Sequence, residues 1–138
     1  MIVRDILDYN QKIKLIIDNA KDVNALVKFK LLGMLKQFEP VIANFETVRN
    51  EKILKYGTTT EDGRTGIFEP KKDDYENDDD YNKAMDDYFD SIKRLNDDLN
   101  EVAEADIDIE ITKFKYTDII DAGISSDYLV AIYDLIEE

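Results

Sequence analysis

Carboxylates are the side chains in this sequence whose spacing most invites chemistry. Asp74, Glu76, Asp78 and Asp80 stand at alternate positions, as the first ligands of a calcium loop do. Such a loop then needs a glycine in sixth place to turn the backbone and a bidentate glutamate in twelfth. Here the sixth residue is Asp79 and the twelfth is Met85. The run reads better as a solvated helix start, where acids face the positive end of the helix dipole. Asp106, Asp108 and Glu110 also alternate, which places them on the solvent face of a strand. Neither group is assigned as a metal site. Glycoside chemistry by two carboxylates needs a fixed separation across a cleft, and nothing in the spacing points to one.

The other reactive side chains narrow the choice further. The sequence has no Cys and no His, which excludes a Cys nucleophile, a Ser/His/Asp triad and a zinc site of the usual kind. Gly63 and Gly66 match neither nucleotide-binding fingerprint. No catalytic, cofactor-binding or metal-ligating residue is therefore assigned, and no cofactor is expected.

Charge gives the sharper signal. From Asp73 to Glu110 sixteen acids oppose only Lys83, Lys93 and Arg94, a net −13 of the chain's −14. Such a segment repels phosphates and attracts basic partners. Within it, Asp86, Asp87, Asp90, Asp97, Asp98, Glu101 and Glu104 are expected to line the exposed side of one helix, and they form the candidate protein-binding face. A row of carboxylates can imitate a phosphate backbone and fill the basic groove of a DNA-binding protein. The plainer reading is a solubilising helix surface. The eight tyrosines fall mostly at helical spacing and suit a core or its rim better than a base-stacking platform. Direct nucleic-acid binding is not expected. No apolar run approaches the ~20 residues of a membrane span, so a soluble, intracellular protein without membrane contact is expected, with homo-oligomerisation left open.

Two apolar stripes must position these acids. Val27, Leu31, Met34, Phe38, Val41, Phe45 and Val48 are spaced 4-3-4-3-4-3, and Tyr81, Met85, Tyr88, Ile92, Leu95, Leu99 and Val102 repeat that spacing. Each covers roughly 33 Å of helix, and a 4-3 repeat is the seam of nearly parallel or antiparallel helices. A polar segment over 57–77, with a β-hairpin signal around Asp62-Gly63, joins them. The expected fold is α+β and mostly helical. A long antiparallel helical hairpin would be flanked by N- and C-terminal helices, with a small β-hairpin or strand element, all in one domain over 1–138. Phe38 and Phe45 are expected to meet the second stripe near Ile92 and Leu95.

The remaining elements follow from local pattern. Ile6, Tyr9, Ile13, Ile16, Ile17 and Ala20 give an amphipathic first helix over 3–20. Asp22 or Asn24 can cap the second helix, over about 24–56, with Pro40 inside it and Gly57 closing it. The third helix covers about 78–105. Strict alternation over 106–112 predicts a strand with Ile107, Ile109 and Ile111 inward. It should pair with the 58–69 hairpin or the N-terminal residues. Lys113 breaks its parity. Ser125 or Ser126 should cap a last helix that buries Leu129, Ile132, Tyr133 and Ile136.

The order of these elements and several short stretches resemble a family of small uncharacterised proteins encoded in tailed-phage genomes. The stretches are Asn24-Ala25-Leu26-Val27-Lys28-Phe29, Asn50 to Gly57 with its Lys55-Tyr56-Gly57 ending, and Glu61-Asp62-Gly63. Asp106 to Ile111 followed by Lys113-Phe114, and Ser125-Ser126-Asp127-Tyr128-Leu129 running to Glu137-Glu138, complete the set. The resemblance covers most of the chain. It implies a phage origin and a helical-hairpin fold, and brings no catalytic residue with it. The function expected on these grounds is a non-enzymatic phage accessory protein. It would act in the host cytoplasm by protein–protein interaction, inhibiting a basic or nucleic-acid-handling protein through its acidic helix. The alternative is a structural component of the virion at a neck, tail or capsid position.

Overall fold

In the computed structural model, which describes residues 1–137, the chain is a mostly helical α+β protein. Its elements are α1 (Val3–Asn19), α2 (Ala25–Tyr56), β1 (Thr58–Thr59), β2 (Thr65–Gly66), α3 (Asp78–Ala103), β3 (Phe114–Lys115), α4 (Tyr116–Ile119), α5 (Ser126–Ala131) and β4 (Ile136–Glu137), with short 3-10 turns at Lys72–Asp74 and Tyr133–Leu135. They divide into two compact units. The first holds Met1–Ala43 and the chain from Glu104 onward, and the second holds Asn44–Ala103. Helix α2 contributes its first half to one and its second half to the other.

The first unit has the deeper core. Val27, Leu31, Met34 and Phe38 of α2 are buried there among Ile6, Ile13 and Ile16 of α1 and Phe114, Ile119, Ile124, Ile132 and Leu135 of the C-terminal segment. Asn24 starts α2 as a cap, its side-chain oxygen accepting from the Leu26 N–H at 2.9 Å. The helix continues through Pro40. Phe38, expected against α3, belongs to this first core instead. The reason is the number of available neighbours. Around Phe38 the chain supplies α1 and the C-terminal segment as well as α2, so the side chain is enclosed on all sides and reaches 0 % exposure.

The C-terminal segment departs from its sequence pattern in two places. Ile107, Ile109 and Ile111 turn inward and pack on the core while Asp108, Glu110 and Thr112 face out, as alternation requires. Yet the run forms no ladder beyond one bridge, Ile2 to Asp106. The strand that does pair is β3, parallel to β4, with Phe114 opposite Ile136. Burying Phe114 requires the chain to change face after Ile111, which ends the alternation. The last helix is also shorter than expected. It stops at Ala131, Tyr133 is left 64 % exposed, and Leu135 and Ile136 enter by way of the 3-10 turn and β4.

The second unit is a helical hairpin with a small β-hairpin in its connection. Strands β1 and β2 pair antiparallel, Thr59 opposite Thr65. The Gly63 N–H donates to the Thr60 carbonyl at 3.0 Å, and Gly63 takes φ 85°, a conformation that favours glycine. Helix α3 begins at a cap the sequence reading had passed over: Asn77 accepts from the Asp80 N–H at 2.8 Å. The two stripes do not run side by side along their whole length. Ile92 and Leu95 share a cleft with Arg49, Asn50, Ile53 and Leu54, so the second half of α2 meets the second half of α3. The first half of α3, at Ala84, Tyr88 and Ser91, lies against the connection at Gly66, Ile67, Phe68 and Tyr75. The folded connection takes the space that a tight loop would have left to α2. Phe45 and all seven residues of the second stripe stay half-buried.

Candidate protein-interaction surface

Helix α3 sorts the acids by direction. Its apolar stripe faces into the second unit. At 3.6 residues per turn, Asp86, Asp90, Asp97 and Glu101 fall within about 60° of one another on the opposite side. All four are exposed. From Asp86 to Glu101 the row runs about 22 Å. Lys83, Lys93 and Arg94 interleave with it on the same side of the helix, and Arg94 pairs with Asp90 at 3.0 Å. The row is therefore milder in charge than the sequence segment that contains it. Asp87 is exposed at the edge of the cleft between α3 and the connection.

Two members of the expected face are elsewhere. Asp98 is only partly exposed and turns toward α2. It accepts a hydrogen bond from the Tyr56 hydroxyl at 2.6 Å and pairs with Lys52 at 3.4 Å. The Tyr56 bond and the Lys52 ammonium hold its carboxyl below the usual Asp range, and the same bond pushes the Tyr56 hydroxyl up. Glu104 lies past the end of α3, in the first unit, where it pairs with Arg4 at 3.7 Å. Asp106 is also in the first unit and accepts from the Met1 amino group at 2.8 Å. The acidic segment thus does not make one patch. The interaction row is Asp86, Asp90, Asp97 and Glu101, with Asp87 beside it.

The other carboxylates follow their local structure. Asp78, Asp79 and Asp80 form the first turn of α3, and Asp73 and Asp74 the 3-10 turn before it. Among the described residues no group of three acidic side chains is placed to hold a metal ion. No helix among the described residues is long and apolar enough to cross a membrane.

One residue of this surface escaped the sequence reading. Phe89 is 59 % exposed and stands one turn from Asp86 on one side and from Lys93 on the other, with its ring tilted against Tyr88 at 5.4 Å between centroids. The signal was present in the sequence: Phe89 falls outside the 4-3 stripe, so a helix that buries the stripe must present Phe89 to water. Compared with protein-family models, curated proteins and solved structures, the chain gives no match.

Proposed function

We propose that this chain is a non-enzymatic accessory protein of phage origin that works by binding another protein in the cytoplasm of the infected host. The partner is a basic, nucleic-acid-handling protein, and the acidic row of α3 is what it meets. The observation that carries this reading is the placement of Asp86, Asp90, Asp97 and Glu101 in one exposed line directly opposite the apolar stripe. Such a line offers carboxylates at steps along about 22 Å of helix, a length suited to a groove that otherwise holds a nucleic-acid backbone.

The test is affinity capture from infected cells with the wild-type chain and with a variant in which Asp86, Asp90 and Asp97 become Asn and Glu101 becomes Gln. Asp98 stays intact in this variant because it braces α2 against α3. Capture should weaken steeply with salt and be lost in the variant. Capture by both proteins at every salt concentration would remove the acidic row from the function.

A second reading, a structural part of the virion, is favoured by a different observation. Phe29, Leu26 and Val130 of the first unit are 74 %, 58 % and 75 % exposed. Apolar side chains left open to this extent suit a lasting assembly with an apolar core and a polar rim. Proteomics of purified virions separates the two, since a virion part is abundant there and the four substitutions leave its incorporation unchanged.

A further inference from the structure

The first unit holds a strand-like run without a ladder. Ile107, Ile109 and Ile111 pack on the core, and Asp108, Glu110 and Thr112 between them are exposed. Alternate β-branched residues suit a half-buried strand. The run is anchored at both ends: Ile2 bridges Asp106 before it, and Phe114 pairs with Ile136 after it. From Asp108 to Thr112 the backbone makes one hydrogen bond among the described residues, the local one from the Ile109 N–H to the Ile107 carbonyl at 2.8 Å.

The free groups share an edge. Along an extended run the backbone groups of alternate residues aim at opposite edges. Those of Ala105 and Ile107 meet the N-terminal residues. The Val3 N–H donates to the Ala105 carbonyl at 3.0 Å, and the Ile107 N–H donates to the Met1 carbonyl at 2.9 Å. Those of Asp108, Glu110 and Thr112 therefore aim at the other edge, where no described residue bonds them. Buried backbone groups are almost always paired, so this edge faces water, and an open strand edge is a template for another strand.

Charge selects the strand that fits. Asp108 and Glu110 share a face about 7 Å apart, and among the described residues neither is in an ion pair. A second copy of this run is disfavoured. Antiparallel pairing about Ile109 sets Asp108 opposite Glu110, and pairing about Glu110 sets that acid opposite itself. Like charges directly opposite are destabilising, whereas opposite charges there stabilise the pair. Between its two basic residues an added strand lies beside the half-buried isoleucines, where apolar side chains extend the core.

We propose that the edge at Asp108, Glu110 and Thr112 takes up an extended segment of a partner protein as an added strand, with side chains that alternate basic and apolar. The segment's backbone completes the free hydrogen bonds, and its Lys or Arg side chains meet Asp108 and Glu110. This surface belongs to the first unit and uses none of the α3 row, so it goes beyond the reading above and can fail without it.

The test is an amide NMR titration of the purified chain with a blocked Thr-Val-Lys-Val-Lys-Val-Thr peptide. The amides of Asp108, Glu110 and Thr112 should shift saturably below about 1 mM peptide. Their hydrogen exchange should slow at least about tenfold at saturation. Methylating the backbone nitrogens of the peptide's lysines, or those of its valines, keeps the charge and removes the donors along one edge. One of these two peptides should bind at least about tenfold more weakly and the other should still bind. Asp108→Lys with Glu110→Lys should reverse the preference, so that the chain favours the peptide with Glu in place of Lys at least about tenfold. Both substituted side chains are exposed, and far-UV circular dichroism checks that the variant folds. Three amides unmoved at about 5 mM peptide overturn the proposal, as do two methylated peptides that bind like the parent. Shifts confined to α3 also overturn it, and leave the acidic-row reading standing.

Discussion

The Tyr56 hydroxyl, on the last residue of α2, donates to Asp98 of α3 at 2.6 Å, and Lys52 reaches the same oxygen at 3.4 Å. Two residues one turn apart on α2 thus fix one carboxylate of α3. Asp98 is held below its ordinary pKa by the Tyr56 bond first and by Lys52 second. A carboxyl depressed in the folded state stabilises the fold above its unfolded value, about 3.9. That contribution is lost as pH falls from there through the lower folded value. In a carbon-detected NMR titration Asp98 should therefore titrate below the unfolded Asp value of about 3.9. Tyr56→Phe should move it back toward that value and lower the melting temperature at pH 7. An ordinary titration of Asp98 in the wild type would refute the coupling.

Tyr9 makes the opposite case in the first unit. Its hydroxyl donates to Asp134 at 3.1 Å, and burial, with that bond and the Asp134 charge, pushes its pKa up to about 12. The unfolded phenol loses its proton near pH 10. Below that pH both states are protonated and the contribution is complete. Between pH 10 and about 12 the unfolded state binds fewer protons, so stability falls as pH rises. Ultraviolet titration should show a late phase reaching about 12 that Tyr9→Phe removes and that is separate from the raised Tyr56. Tyr9→Phe should flatten the alkaline loss of stability over this interval.

Phe38 and Phe45 stand seven residues apart in one stripe but should respond differently to truncation. Phe38 is enclosed at 0 % exposure in the first core, so Phe38→Ala should cost roughly 3–5 kcal/mol. Phe45 is half-buried in the second unit, and Phe45→Ala should cost roughly 1–2 kcal/mol, because water and neighbouring side chains can fill the space. Urea unfolding of both variants measures the difference. Equal losses would mean the stripe is covered evenly along its length.

Two glycines should respond to alanine with opposite signs. Gly123 takes φ 83°, and a β-carbon there would collide with the Asp22 carbonyl. Gly123→Ala should destabilise by roughly 1–3 kcal/mol. Gly33 is helical with open space beside it, so Gly33→Ala should stabilise the chain by up to about 1 kcal/mol. Thermal unfolding of the two variants beside the wild type measures both signs.

Salt should raise the melting temperature. Of the sixteen acids from Asp73 to Glu110, Asp78, Asp90, Asp98, Glu104 and Asp106 are in ion pairs among the described residues. The rest repel one another, and screening weakens repulsion. A melting temperature that falls with moderate salt would mean that those five pairs outweigh it.

Short-range pattern in the sequence was enough to place α1, α2 and α3 within about two residues, to narrow the α2 cap to Asp22 or Asn24, and to place Gly63 at the turn and the inward set Ile107, Ile109 and Ile111. Each of these depends on a hydrogen bond or a side-chain direction set within a few residues of the chain, so the local sequence determines it. The acids at Asp86, Asp90, Asp97 and Glu101 were legible for the same reason, since the apolar stripe dictates which side of α3 faces water. The tertiary structure decided the rest. The 4-3 spacing of Val27 to Val48 specifies an apolar face but not which neighbour covers it, and the stripe divides between two units. Asp98 left the acidic face because Lys52 and Tyr56 came within reach, and Glu104 because α3 ended and Arg4 was near. Phe114 displaced the expected strand by pairing with Ile136 from the far end of the segment. These outcomes turn on distances between residues far apart in sequence, where burial and charge pairing in the packed chain compete, and no local spacing encodes that competition.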